Sequence, residues 1–333
     1  MSKVLLLNED QVRSLITMKD VVEACEKTFE GMGNDRVVNP TKINLDLGSG
    51  GNWPGYNAGM NAMPAYIGWQ NAAGLKWIGG WFNNPAKGLP FIRAMILLVQ
   101  PEDGTFLAAM DGAFITNMRT GAQAAVAFKH LSGKKEIVMG LYGAGAQGRT
   151  QTQAFAEVTR ISELRVFDIN QAAAEKFKAD MEKLLPGRIR VCTDKKDAAM
   201  GCDAVVSVTH GKDKFIKNEW IKPGAVVFPL GSGTEASDEL LTSADKIVVD
   251  HVGQTLHRGA LVDVVNRGLI GEKDLYGTIG EVVAGKKKGF ETGKERIVCV
   301  AIGTGAMDVT SACVAYQRAK ERGIGTEFAF TNN

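Results

Sequence analysis

The chain has 333 residues, of which 45% are hydrophobic and 23% charged, an ordinary composition for a globular protein that buries a full core. Its formal net charge is +2, so charge offers no case for a protein that binds nucleic acid or an anionic membrane surface. The five cysteines form no CxxC motif, and we expect reduced thiols, no signal peptide, no membrane span and a cytoplasmic location.

The first third of the chain is predicted to change from helices to strands. Thr17-x-x-Asp20 resembles a capping box and predicts the start of a helix. From residue 41 to about 110 the pattern is that of strands separated by turns, with Asp103-Gly104 as a hairpin signal. The expected strands lie at 4–7, 42–47, 60–67, 75–81, 91–99 and 106–110, and a helix is expected at 116–130.

The stretch from residue 137 to 168 has the order of elements that a dinucleotide-binding βαβ unit needs. An apolar strand ends in Gly143-x-Gly145-x-x-Gly148, a helix-like run follows, and a second short strand ends on an acid. Gly143 allows a tight turn, Gly145 lets the backbone approach a pyrophosphate, and Gly148 lets the helix pack close to the strand. Because glycine is abundant in this chain, the motif is informative only within this order of elements.

The acid that ends the second strand is Asp168, and it predicts which cofactor is bound. Its carboxylate would accept hydrogen bonds from the ribose hydroxyls and would repel a 2′-phosphate. The residues that follow, Ile169-Asn-Gln, include no Arg or Lys that could attract such a phosphate. The pattern therefore favours NAD(H) over NADP(H).

Strands and helical runs continue to alternate from about residue 134 to 303, as in a doubly wound sheet. An amphipathic run from 306 to 322 predicts a final helix. The predicted fold class is therefore α/β. The four histidines show no spacing typical of a metal site, and we predict none.

Motifs on both sides of the glycine loop follow one another in a characteristic order. With them the chain resembles the ornithine cyclodeaminase/mu-crystallin superfamily, which also contains alanine dehydrogenases, ketimine reductases and related imino-acid reductases. The resemblance covers nearly the whole chain. It rests on Met63-Pro64-Ala65, Gly74-Leu-Lys76-Trp, Asn83-Asn84 through Gly88-Leu-Pro90, Ile115-Thr-x-x-Arg119-Thr120-Gly-Ala, Ser207-Val-Thr209 and Gly303-x-Gly305-x-x-Asp308.

The resemblance implies a discontinuous architecture. A Rossmann-like dinucleotide-binding domain at 132–303 would be inserted into an α/β substrate-binding and dimerisation domain made of residues 1–131 and 304–333. The active site would lie in the cleft between the domains, and the protein would be a homodimer. Contacts with the cofactor would come from Thr120, Gly143, Gly145, Ala146, Gln147, Gly148, Asp168, Thr209 and Gly303.

Two cations are expected to hold the substrate. Lys76 lies in an apolar strand, where a lysine ordinarily keeps its ammonium group in water, but the resemblance implies that it binds the substrate carboxylate near the reacting carbon. Arg119 lies near the start of a helix, where a cation is unfavourable to the helix dipole, and a bidentate bond to a carboxylate explains it better. Thr120 and Thr209 either line the nicotinamide pocket or serve as ordinary cap and turn residues.

The sequence departs from the family pattern at two positions. Cyclodeaminases carry a catalytic Asp where this chain has Gly233, and we do not expect Glu235, two residues on, to replace it. The substrate-binding Arg of many members is Lys42 here, and a lysine supplies a point charge rather than a planar fork. Arg93, in a predicted strand, is either half of a structural salt bridge or a second cation for a side-chain carboxylate.

The predicted function is NAD(H)-dependent reduction of a small α-imino acid, in which hydride passes between the nicotinamide and the substrate α-carbon. Lys42, Lys76, Arg119 and Arg93 are the predicted substrate-binding residues, and Lys76 and Arg119 the catalytic ones. If Lys42 or Arg93 faces the site, a dicarboxylic substrate such as iminosuccinate fits; otherwise a short neutral one, as for alanine. Ornithine cyclodeamination and a non-catalytic, mu-crystallin-like binding protein are the alternatives.

Overall fold

The structure is a computed structural model that describes residues 3–211, 213–231 and 233–330. The chain divides into two compact units, one made of Met1–Arg119 with Thr304–Asn333 and the other of Thr120–Gly303. The first boundary falls earlier in the chain than residue 131, inside one continuous helix. The reason is that the second half of this helix packs within the second unit, where Gln151 Nε2 donates to the Thr120 carbonyl at 3.1 Å.

The helices and strands follow one another in a simple chain order. The first unit begins with β1 (Lys3–Leu7), α1 (Glu9–Leu15), α2 (Met18–Gly33), β2 (Val37–Val38), β3 (Ile43–Asp46), β4 (Ala58–Ile67), β5 (Ala72–Trp81), β6 (Ile92–Val99) and β7 (Phe106–Asp111), after which α3 (Ala113–Ser132) enters the second unit. The second unit contains β8 (Glu136–Tyr142), α4 (Ala146–Val158), β9 (Arg160–Phe167), α5 (Gln171–Met181), β10 (Arg188–Val191), α6 (Lys195–Ala199), β11 (Ala204–Ser207), β12 (Val226–Pro229), α7 (Asp238–Thr242), β13 (Lys246–Val249), α8 (Val252–Thr255), α9 (Val262–Asn266), β14 (Gly277–Thr278), α10 (Ile279–Val283) and β15 (Ile297–Val300). The chain then returns to the first unit with α11 (Gly305–Arg322) and β16 (Thr326–Ala329).

The first unit is built on a mixed sheet in the order β16-β1-β7-β6-β5-β4-β2, with β3 also paired to β4. Strands β4 to β7 are antiparallel neighbours, and Gly104 adopts a left-handed φ of 76° in the predicted turn between β6 and β7. The predicted capping box at Thr17 and Asp20 is confirmed at the start of α2. Helix α11 packs on α2 and on β4, β5 and β6.

Alternation along β5 decides which side chains face the helices. Lys76 and Ile78 project from the face covered by α11 and are buried, whereas Trp77 projects from the other face and is exposed. The exposed face carries more large apolar side chains, including Ile43 and Leu45 of β3 and Met95 of β6. One face of the sheet is therefore core, and the other is apolar and is not covered by any of the residues that the structure describes.

The second unit is built on a parallel sheet in the order β10-β9-β8-β11-β12-β15-β13-β14. All residues of β11, β12, β13 and β15 are buried, as expected for a parallel sheet covered on both faces. The predicted α/β class with a Rossmann-like unit is confirmed. Across the described residues no helix is long and apolar enough to cross a membrane, and the five cysteines are buried and free.

Candidate active site

Three charged side chains meet in the interior of the first unit. Asp308 on α11 pairs with Lys76 and Arg119 at once: its Oδ2 lies 2.7 Å from Lys76 Nζ, and its Oδ1 lies 2.9 Å from Arg119 Nε. Lys76 and Asp308 are 0% exposed, and Arg119 is buried as well. Thr116, one helical turn before Arg119, has its Oγ1 3.4 Å from Lys76 Nζ. The site is thus a buried carboxylate shared by two cations.

The approach of α11 to β4 brings these groups together. At Gly305, the first residue of α11, an added Cβ would lie 2.5 Å from the Met63 carbonyl oxygen, so only glycine allows this contact. Met63 pairs directly with Lys76 across the sheet. Asp308 lies about one turn after Gly305, on the same side of the helix, which carries its carboxylate to Lys76.

A cavity of about 160 Å³ opens beside this cluster. Three of its lining residues are cations, and Lys42, the half-buried one, joins Lys76 and Arg119 there. The remainder is small or apolar apart from one asparagine. The full lining is Lys42, Asn61, Met63, Lys76, Ile78, Gly79, Gly80, Ile92 and Arg119. Because these nine residues include three cations and no acid, the cavity is suited to an anionic ligand.

The pKa of the Lys76 ammonium group is well below that of an ordinary lysine. Complete burial, followed by the neighbouring charge of Arg119, lowers the pKa of Lys76 to about 7, from the usual 10.5. The negative charge of Asp308, 2.7 Å from the ammonium group, acts in the opposite direction and raises the pKa. Such a group can bind an anion and also exchange a proton near neutral pH.

Arg93, a predicted substrate-binding residue, is not among the residues that line this cavity. Arg93 pairs with Gly79 across β5 and β6, and Gly79 lies an odd number of residues from Lys76. Side chains of adjacent residues in a strand point to opposite faces, so Arg93 projects from the uncovered face of the sheet. Its side chain is exposed there. Strand register separates Arg93 from the other three predicted cations.

The glycine loop of the second unit has the three environments that a pyrophosphate loop requires. Gly143 has a φ of 102°, in the left-handed region. A Cβ on Gly148 would lie 2.2 Å from the Gly143 carbonyl oxygen, so this residue permits close packing of α4. Around Gly145, no described residue other than its two chain neighbours has an atom within 4 Å of an added Cβ, which leaves space for a ligand. Ala146 and Gln147 form the first turn of α4, and no side chain caps that helix at Gly145. The loop therefore fits a dinucleotide phosphate.

Asp168 lies beside this loop, just after β9. Its Oδ2 accepts from the Ala144 backbone N–H at 2.8 Å, and its Oδ1 accepts from the Asn170 N–H at 2.8 Å. The Gly143 N–H in turn donates to the Phe167 carbonyl at 2.9 Å. The acid is therefore fixed against the glycine loop, where the predicted ribose contact requires it.

Thr209 is held by a carboxylate that the sequence did not assign to this position. Glu235 is 0% exposed, and its Oε1 accepts from Thr209 Oγ1 at 2.5 Å, from the Thr209 N–H at 3.1 Å and from Ser207 Oγ at 2.5 Å. Its Oε2 accepts from the Gly231 N–H at 2.9 Å. These bonds, two from backbone N–H groups and two from hydroxyl groups, engage both oxygens of Glu235 within the second unit.

The two other predicted cofactor residues lie at the ends of the second unit. Thr120 is the first residue of that unit, in α3. Gly303 is the last, with a φ of 88°, and its N–H donates to Asp250 Oδ2 at 2.6 Å. Within the described ranges, no group of three or more His, Cys, Asp or Glu side chains could hold a metal ion.

Asp308 is the functional residue that residue-by-residue reasoning missed, because in the sequence it only ends the Gly303-x-Gly305-x-x-Asp308 motif. A signal was present: α11 is buried from Gly305 to Cys313, and Asp308 is the only charged residue in that stretch. A lone acid in an otherwise apolar or small-residue helix face indicates a buried ionic partner.

Comparison with known proteins adds to this geometry. The family model described as the ornithine cyclodeaminase/mu-crystallin family matches residues 2–323. The chain belongs to this family. The match spans both units, so the sequence resemblance is confirmed.

Three solved structures are close in fold to this family member. An archaeal alanine dehydrogenase dimer with bound NAD has a TM-score of 0.91 at 34% identity, over 99% of this chain and 100% of the other. The Delta(1)-pyrroline-2-carboxylate reductase of Thermococcus litoralis, in complex with NADH and L-proline, has a TM-score of 0.91 at 33% identity, over 97% and 99%. The iminosuccinate reductase of Paracoccus denitrificans, in complex with NAD+, has a TM-score of 0.87 at 25% identity, over 98% and 100%. The predicted class, an NAD(H)-dependent oxidoreductase acting on C=N or CH–NH2 bonds, is that of these relatives.

Proposed function

We propose that this protein is an NADH-dependent reductase of a small α-imino acid. The observation that carries the proposal is the cavity lined by Lys42, Lys76 and Arg119, an anion site built largely from buried cations. The glycine loop and Asp168 supply a matching dinucleotide site in the second unit. NADH supplies the hydride when it is bound there, and the products are the amino acid and NAD+.

In this reaction Lys76 and Arg119 bind the α-carboxylate of the substrate and draw electron density from its C=N bond. Reduction of a neutral imine adds a hydride to the α-carbon and a proton to the nitrogen. Lys76 is the proposed donor of that proton, because its pKa of about 7 leaves the ammonium form populated at neutral pH and able to lose a proton. Lys76 is neutral after the transfer and regains its proton from solvent.

Lys42 extends the proposal to the substrate side chain. It lines the same cavity as Lys76 and Arg119, whose two charges suffice to hold one α-carboxylate. A second carboxylate on the substrate would be desolvated in the cavity, and the ammonium group of Lys42 would compensate its charge. We therefore propose a dicarboxylic substrate of the iminosuccinate type, which yields aspartate, over an alanine-type substrate.

The test compares oxaloacetate with pyruvate, each mixed with ammonia and NADH, by NADH oxidation. We expect a higher kcat/KM with oxaloacetate than with pyruvate. In Lys42→Ala, kcat/KM with oxaloacetate should fall by about ten- to a hundredfold, because the variant loses a charged hydrogen bond to the substrate. Arg93→Ala is the matched control, since it removes a cation from the opposite face of the same sheet and should keep the preference.

Each other outcome has a distinct meaning. A preference for pyruvate, or an unchanged preference in Lys42→Ala, rejects the dicarboxylic substrate and leaves the reductase standing. No NADH oxidation with either keto acid rejects the reductase and favours a binding protein. Conversion of L-ornithine to proline and ammonia would identify a cyclodeaminase, which the missing carboxylate at Gly233 argues against.

We further propose that the protein acts as a homodimer in the cytoplasm. The uncovered face of the first sheet carries Ile43, Leu45, Trp77 and Met95, each about half exposed or more. A contiguous apolar face of this kind is typical of a protein–protein interface, and the archaeal alanine dehydrogenase relative is described as a dimer. Five buried free thiols suit a reducing compartment.

A further inference from the structure

Asp308 contacts both cations that the proposed function assigns to the substrate. It uses a different oxygen for each, Oδ2 for Lys76 at 2.7 Å and Oδ1 for Arg119 at 2.9 Å. The carboxylate is 0% exposed, so it has no solvent alternative to these partners. Ion pairs held in this way restrict both side chains, because moving either cation would leave buried charge uncompensated.

The rest of the charged environment of Lys76 opposes its protonation or is neutral. Arg119 on α3 and Lys42, just before β3, repel the ammonium group. Cys25 on α2 lies within electrostatic range of the Asp308–Arg119 pair, but burial raises the pKa of its thiol to about 12, so it carries no charge near neutral pH. Among the described groups that act on Lys76, Asp308 is thus the anion that favours its charged form.

We propose that Asp308 is the positioning residue of this site, which fixes Lys76 and Arg119 relative to each other and stabilises the positive charge of Lys76. This inference rests on the proposed function only for its effect on turnover. The ionisation of Lys76 can be measured without any substrate. Asp308 itself faces the two cations and lies outside the residues that line the cavity, so it acts through Lys76 and Arg119.

The close packing of α11 on the sheet explains why the charge of Asp308 acts strongly on Lys76. The contact of Gly305 with β4 sets how closely the helix approaches the sheet, and Asp308 follows about one turn later. An acid on a surface loop would be hydrated and its attraction to Lys76 would be screened. Burial makes the charge of Asp308 effective.

The test variant is Asp308→Asn, which keeps the shape of the side chain and removes its charge. Asp308 favours the charged form of Lys76, so its neutralisation should lower the pKa of Lys76 below about 7, by about one to three pH units for the loss of an adjacent opposite charge. Because Lys76 donates a proton, kcat/KM for imine reduction should fall as the pH rises through the pKa of Lys76. The midpoint of that fall should lie at a lower pH in the variant, by the same amount. Wild type and variant experience the same ammonia equilibrium, so the difference between their midpoints is independent of it.

The direct readout is an NMR titration of the lysine Hε–Cε resonance that disappears in Lys76→Met. The matched control is Asp20→Asn: Asp20 on α2 also pairs with a cation, Arg318 of α11, at 2.5 Å, but lies outside the cavity. That variant should leave the titration of Lys76 unchanged. An unchanged Lys76 titration in Asp308→Asn overturns the inference.

A second variant covers the case in which Asp308→Asn does not fold. Asp308→Glu keeps the charge but shifts it by one methylene, so the Lys76 titration should stay near that of wild type while kcat falls by about 10- to 100-fold. Wild-type kcat and KM in Asp308→Glu would reject the positioning role. Absence of turnover in wild type would reject the proposed reaction, and the NMR titration would still decide the role of Asp308.

Discussion

At the scale of single residues, we expect the carboxylate of Asp168 to decide between NADH and NADPH. Its two oxygens accept backbone N–H bonds from Ala144 and Asn170, which hold the carboxylate against the glycine loop. Each oxygen keeps a lone pair that can accept from a ribose hydroxyl. A 2′-phosphate at the same place would meet a negative charge fixed in position by the backbone.

We expect a clear advantage of NADH over NADPH in kcat/KM, and a narrower one in Asp168→Ser. The variant loses a charged acceptor for the ribose and also the repulsion of the 2′-phosphate, so the ratio should shift by about one to two powers of ten. Steady-state kinetics with both cofactors measure it. Equal kcat/KM values for NADH and NADPH in the wild type would show that Asp168 does not select NADH.

At the scale of elements, Glu235 joins the carboxyl ends of two neighbouring parallel strands. Ser207 ends β11, and Gly231 follows β12; both donate to the same carboxylate, together with two bonds from Thr209. In open α/β sheets ligands bind at the carboxyl ends of the strands. Glu235 thus fixes the loops that the cofactor prediction requires, and this accounts for a fully buried carboxylate in that unit.

Glu235→Gln should lower the thermal midpoint and raise the KM for NADH. The amide replaces one acceptor oxygen by a donor that faces N–H and O–H groups, and an unsatisfied buried group costs about 1–3 kcal/mol. Glu295 offers a control, because its Oε1 also accepts backbone N–H bonds, from Glu291 and Thr292, but the residue is only partly buried. An equal fall in the thermal midpoint in Glu235→Gln and Glu295→Gln would show that the burial of Glu235 does not increase the cost of losing an acceptor oxygen.

At the scale of the whole molecule, the first sheet has an apolar face that the described part of the chain leaves uncovered. Ile43 is 70% exposed on β3, and Trp77 and Met95 lie on the same face. Burying such side chains against a second copy contributes roughly 25 cal/mol per Å² of apolar surface. An isolated monomer would leave this area in water.

We expect light scattering to report a mass of twice 35.7 kDa for the wild type and a shift toward 35.7 kDa for Ile43→Lys. The introduced ammonium group would be buried without a partner in a dimer through this face. Leu184→Lys is the control, since Leu184 is 60% exposed in the other unit. A dimeric Ile43→Lys variant would place the interface elsewhere.

Features that depend on neighbours along the chain follow from the amino-acid sequence alone. The turn at Gly143, the packing at Gly148 and the acid at Asp168 lie within one βαβ unit, and their roles follow from local geometry. The capping box at Thr17 and Asp20 is local in the same way, because its bonds span three residues. Fold class and cofactor class could therefore be predicted from residue patterns.

The composition of the substrate site, in contrast, depends on the tertiary fold. Asp308 lies 189 residues from Arg119 in the chain, and their contact depends on α11 returning to the first unit after the inserted one. Strand register, which no single strand encodes, places Arg93 on the face opposite Lys76. Sequence patterns identify residues that can carry chemistry. Charged groups pair with whatever lies near them in space, so the pairing of Lys76 and Arg119 with Asp308 became visible only in the tertiary structure.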